Sequence, residues 1–222
     1  MRLTKSTIFF SFFRILFSAG VLLFFFSGSF AQTVWVSEYN KEGIEIFTRN
    51  PEGSYLKEFK AQTRMKTDIH TLMAVMADHH AHIQWMDGIA TCELIEVFSS
   101  REKIYYYTIP FPWPMTDRDL VLRTTVQQNP VTRGIEIKII SEPGAVTDRG
   151  NERMRIAQGS WEFLPLPEGM VKVSYQFFSD PTGIPAWIVN MFILNTPVNT
   201  FKSLKEMILK PEYQRQKFDW IN

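Results

Sequence analysis

Cysteine is nearly missing from this chain. There is one, Cys92, in 222 residues, so no internal disulfide can form and core packing alone must hold the fold. No two-cysteine zinc pair, Gly-x-Ser-x-Gly elbow, Walker loop or dinucleotide fingerprint occurs, which removes the usual sequence signals of a hydrolase, an NTPase or a nucleotide-dependent oxidoreductase. A surplus of one charge is also missing. With 24 basic and 23 acidic residues the formal charge is +1, and nothing suggests the basic footprint of a nucleic-acid binder. Internal repeats and low-complexity linkers are absent too, so one domain of ordinary size is expected. The run Asp78-His79-His80-x-His82 looks like a metal site at a glance. Its three histidines point in different directions on a helix and no second ligand cluster accompanies them, so it reads as a solvated turn. Neither a metal nor any other cofactor is expected.

What is present is apolar surface: 45% of residues are hydrophobic and 14% aromatic, ample for a large core and contrary to disorder. The opening reads as a secretory signal, with Arg2, Lys5 and Arg14, an apolar run over 15–26, and small residues at Ser29 and Ala31. Residues 1–31 are therefore expected to be a signal peptide cut after Ala31, leaving a domain over 32–222 in a periplasmic or secreted protein. The alternative is an uncleaved anchor, since 8–30 is long enough to span a bilayer if Arg14 is tolerated. No cysteine lies near the cut, so a lipid-modified anchor is not indicated. Removing the three basic residues of the first 31 from 24 leaves 21 against 23 acids, a net of −2.

The longest helical pattern beyond the N-terminus lies within 180–210. Trp187, Met191, Leu194, Val198, Phe201, Leu204 and Ile208 follow at steps of three or four, which places them on one helical face. Pro197 inside the pattern removes a backbone donor, so a kink near Ile193 or Leu194 is expected. The first half is apolar nearly all round, whereas the second carries Lys202, Lys205, Glu206 and Lys210 on its far side. Such a helix is a core helix on a sheet, or a movable cover over a cavity. The rest alternates as strands, except for two short helical pieces, one capped by Thr67 or Asp68 and the other over 79–85. The order is three strands, two short helices, six strands and the long helix. That is an α+β fold in which a curved antiparallel sheet of about nine strands wraps the C-terminal helix.

Several of these segments closely resemble START lipid-transfer domains: Trp35 with Gly43-Ile44-Glu45-Ile46-Phe47-Thr48-Arg49, Tyr55-Leu56-Lys57-Glu58-Phe59, Trp85, Glu93-Leu94-Ile95-Glu96, Pro112-Trp113-Pro114 with Arg118-Asp119, Gly159-Ser160-Trp161, and Asp180-Pro181 with Ile184-Pro185-Ala186-Trp187. The resemblance covers nearly the whole chain beyond the signal. It implies a helix-grip fold and a tunnel that holds one lipid or sterol-like molecule, gated by the last helix and adjacent loops. It also implies Glu93 and Arg118 inside that tunnel, paired, and binding a lipid hydroxyl or head group; a salt bridge pinning a loop to the sheet is the other reading of the pair. Trp187, Met191 and Leu194 would line the cavity, with Met115 and Met170 as adaptable surfaces. The rim over 111–115, with Trp113 and Met115, is a transient membrane contact or else a buried loop closure. The expected partner is a lipid or other hydrophobic small molecule bound by a monomer that is not an enzyme. The wider superfamily includes cyclases and aromatases of polyketides, so a cyclase-like enzyme acting in the same cavity is the alternative, as is a passive module with a filled core.

Overall fold

The computed structural model describes residues 34–222; the expected signal peptide lies outside them. Strands β1 (Val36–Lys41) and β2 (Ile44–Arg49) form a hairpin. Its turn falls at Glu42 and Gly43, both with positive φ, a conformation that Gly43 tolerates without strain. β3 (Glu58–Lys66) follows and buries Phe59, Ala61, Thr63 and Met65 on one face, as its alternation predicts. The Asp68 carboxylate then accepts from Thr71 N at 2.8 Å and caps α1 (Ile69–Ala77). A 3-10 turn over His79–Ala81 leads into α2 (His82–Trp85).

The second series comprises β4 (Thr91–Ser99), β5 (Glu102–Ile109), β6 (Arg118–Gln128), β7 (Ile135–Ser141), β8 (Glu152–Arg153), β9 (Ile156–Leu166) and β10 (Met170–Asp180). The ten described strands join one sheet, nine of them in the order β1-β2-β3-β10-β9-β7-β6-β5-β4. Pairing along this path is antiparallel, while β8 lies beside β6 and parallel to it. β8 is the strand beyond the nine expected; at two residues it is too short to show an alternation. At Gly159 the β9 and β10 backbones come so close that a Cβ would lie 2.2 Å from the Gln176 carbonyl oxygen, so only glycine fits.

The C-terminal helix is divided into α3 (Ala186–Phe192) and α4 (Asn195–Met207), followed by α5 (Pro211–Gln214). The break at Ile193 and Leu194 is where Pro197 predicts it. Pro197 occupies the first turn of α4, where no helical donor is required of it. α4 buries Val198, Phe201, Leu204 and Met207 against the concave face of the sheet, together with Leu72, Met73, Val75 and Met76 of α1. This is the helix-grip architecture. A second, smaller cluster of Ile104, Tyr106, Val121 and Val146 covers part of the convex face.

Candidate ligand cavity

A cavity of about 390 Å³ remains between the concave face and the helices, within the range of small-molecule sites. Alternate residues of β5, namely Lys103, Tyr105, Tyr107 and Ile109, line it, as do Leu120, Leu122, Thr124 and Val126 of β6. Six steps of about 3.3 Å carry it roughly 20 Å along β5, so it is elongated. Its floor is aromatic. Trp161 stacks on Tyr175 with ring centres 4.0 Å apart and meets the edge of Trp85 at 5.8 Å. Methionines Met73, Met76, Met86 and Met154 supply adaptable surface; Met115 and Met170 are not among the lining residues.

Above the cavity lies α3, which has no fully buried residue. Val189 and Phe192 face the cavity with Ile193, Thr196 and Thr200. Trp187 and Met191 instead point outward, 67% and 61% exposed, and Leu194 packs half-buried against the core without lining the cavity. The single stripe read from the sequence fails because the break at 193–194 resets the helical phase, so α3 turns a different face inward from the one α4 continues. Asn190 ties α3 to the segment before β3: its Oδ1 accepts from Lys57 N at 3.1 Å and its Nδ2 donates to the Tyr55 carbonyl at 3.3 Å.

Glu93 and Arg118 do not meet. Glu93 sits on the outer side of β4, where Arg149 donates to it at 2.6 Å and thereby holds its carboxyl below the usual range. Strand alternation decides this, since neighbours Cys92 and Leu94 take the core-facing positions. Arg118 is buried but is committed elsewhere. Its Nε donates to Pro181 O at 3.2 Å and its Nη2 to Thr182 O at 3.2 Å, Thr116 O takes a third bond, and Glu152 pairs with it at 3.2 Å. The arginine thus pins the segment that leads into α3. Its neighbour Asp119 is paired with Arg153 at 2.5 Å and accepts from Tyr106 Oη at 3.0 Å. β8 places Glu152 and Arg153 opposite Arg118 and Asp119, so the Arg-Asp motif is a double cross-strand ion pair. Of the loop between β5 and β6, Phe111 lines the cavity and lies 5.2 Å below the Arg118 guanidinium. Trp113 is 92% exposed, which excludes a buried loop closure, and Met115 is half-buried.

The sequence reading missed His82. It is buried rather than solvated, while His80 is exposed. Its Nε2 lies 3.0 Å from the Met76 carbonyl, which can only accept, so Nε2 carries the proton and Nδ1 accepts from Tyr107 Oη at 3.1 Å. Burial pushes its pKa down to about 4 and that of the neighbouring Cys92 thiol up to about 11. Burial also raises the hydroxyls of Tyr105, Tyr107 and Tyr175. Alternation of Tyr105 and Tyr107 along β5 was the available signal for the tyrosines; nothing local distinguished His82 from His79 and His80. Among the described residues, no group of three or more His, Cys, Asp or Glu side chains could hold a metal ion.

The family model of the START domain matches residues 28–135. The crystal structure of a STAR-related lipid transfer protein from Xanthomonas axonopodis is 31% identical, with a TM-score of 0.73 over 79% of this chain and 99% of that one. The chain belongs to the START family. Human phosphatidylcholine transfer protein is 25% identical over 77% of this START chain and 81% of its own length. Human STARD10 shares the fold at 18% identity, with a TM-score of 0.70 over 80% of this chain and 74% of that one. In this START domain the cavity lies between the gripping sheet and the divided C-terminal helix, and Arg118 anchors the approach to that helix.

Proposed function

We propose that this START domain is a carrier: a monomer that holds one lipid or sterol-like molecule in its cavity and moves it through an aqueous space. The observation that carries the reading is the elongated cavity of about 390 Å³, walled by tyrosine, tryptophan, methionine and aliphatic side chains. Similarity to a bacterial STAR-related lipid transfer protein and to human phosphatidylcholine transfer protein supports it. Passage in and out is through α3. That helix has no fully buried residue, which gives it a low local opening cost, and Asn190 is the restraint to be released while the Arg118 cluster fixes its approach. The apolar rim of Trp113, Trp187 and Met191 contacts a membrane during loading, because exposed indole rings suit the interface and the thioether adds apolar surface. The N-terminal segment exports the protein to the periplasm or beyond.

A carrier fits better than a cyclase-like enzyme. Acid–base work at neutral pH is most efficient with a group that titrates near 7, whereas both His82 ring nitrogens are engaged, by Met76 O and Tyr107 Oη, and burial lowers its pKa to about 4. Organic extraction of the purified protein followed by mass spectrometry tests the proposal. About one lipid per chain is expected, and an extract without lipid, from protein that also binds none when offered, would overturn it.

A further inference from the structure

Three cations and one carboxylate line the cavity, and they are unevenly placed. The carboxylate, Asp87, follows α2 in the loop whose Ala90 N donates to Thr108 O, beside the Ile109 end of β5. Lys57 is already paired with Glu38 at 2.9 Å. Lys103 and Arg101 belong to the opposite end of β5. Phe218 and Trp220 of the C-terminal segment line the cavity too, and the Arg101 guanidinium lies 4.6 Å over the Trp220 ring.

Lys103 shares a face of β5 with Tyr105 and Tyr107, because alternation turns every second side chain to the concave side. Its cross-strand neighbours, Val97 and Thr124, carry no charge. Among the described residues no carboxylate pairs with its ammonium. Burial is the main cause that lowers the pKa of His79 and His82, and the Lys103 charge adds to it in both, which puts that charge on the helical side of the sheet. The residue is half-buried, so its stem follows the apolar wall while its head stays hydrated. An anion that meets it there keeps part of its own hydration, and pairing avoids the full cost of burying two charges.

Resting on the carrier reading above, we propose that Lys103, with Arg101 beside it, binds an anionic head of the cargo, a carboxylate or a phosphate monoester, while the tail runs along β5 toward Ile109. The cavity then has a direction, with the head at the end lined by Phe218 and Trp220 and the tail under α3. A length of roughly 20 Å between Lys103 and Ile109 suits one extended acyl chain.

The test titrates the lipid-stripped full chain with tetradecanoate, tetradecyl phosphate and tetradecanol, each below its micelle concentration and at low ionic strength. At least one anion is expected to bind about tenfold tighter than the alcohol, the lower end of what one charge-assisted hydrogen bond contributes. The tighter of the two assigns the head to a carboxylate or to a phosphate. Lys103→Met keeps the stem without the charge and should bring the anions down to the alcohol, whose own binding stays. Lys103→Arg should retain the preference. Lys138→Met, which takes the same charge from the outer face of β7, should change nothing. Anions no tighter than the alcohol, an equal loss for all three probes in Lys103→Met, or the same loss in Lys138→Met each overturns the head-group site and leaves the carrier standing. If no probe binds the parent while its organic extract holds lipid, the site falls alone; if no probe binds and the extract is empty, the carrier falls with it. Should Lys103→Met fail to fold, the ranking of the probes in the parent and in Lys138→Met decides.

Discussion

His82 is neutral in the folded protein because burial lowers its pKa from the ordinary 6.5 to about 4. Between those values the unfolded chain binds a proton that the folded one refuses. Its contribution is therefore complete above about pH 6.5 and is lost as pH falls toward 4, by about 3 kcal/mol at the limit. Thermal unfolding from pH 7 to pH 4 checks this: His82→Gln, which can still donate to Met76 O, should start less stable and decline less steeply than the parent. Parallel declines would assign the acid sensitivity to other groups. The same scale explains the two charged residues that the resemblance singled out. Arg118 proved to be a structural fastener for the 181–182 segment and Glu93 a surface partner of Arg149. A charged residue's sequence neighbours do not reveal which carbonyls or ions its side chain will find across the fold.

At the scale of elements, the divided C-terminal helix has unequal parts. α4 buries a continuous face and belongs to the core, while α3 buries no residue fully and is held at its middle by the two hydrogen bonds of Asn190. Removing these bonds loosens α3 without touching the core. Asn190→Ala is expected to speed release of a fluorescent fatty-acyl probe to acceptor vesicles about fivefold, equivalent to about 1 kcal/mol of net hydrogen bonding. Its unfolding midpoint should stay close to the parent's, because the opening is local. An unchanged release rate would move the gate away from α3. Division of the helix was legible in Pro197, but the face α3 presents was not. A stripe drawn through a break assumes one helical phase, and two helices have two.

For the molecule as a whole, some of the exposed apolar residues stand on the two segments that meet at Arg118. Arg118 holds the 181–182 approach to α3 over Phe111, and Trp113, Trp187 and Met191 stand outward from these two segments. Replacing Trp187 and Met191 together by serine should weaken co-sedimentation with phosphatidylcholine vesicles about tenfold, the effect of withdrawing a modest apolar area from the interface. Stability should change little, since both side chains already lie in solvent. Undiminished sedimentation would place the membrane contact elsewhere.

Sequence alone determined the α+β class, nine of the ten described strands, the two short helices after β3, the position of the helix break and the family. Each follows from local periodicity, caps and proline, or from motifs in a fixed order, all carried by near neighbours in the chain. Only the tertiary structure decided that His82 is buried, that the buried Trp85 N–H finds no partner among the described residues, and that Arg118 and Glu93 serve different partners. Those outcomes depend on how segments far apart in sequence meet around the concave face, where burial and hydrogen-bond partners are set.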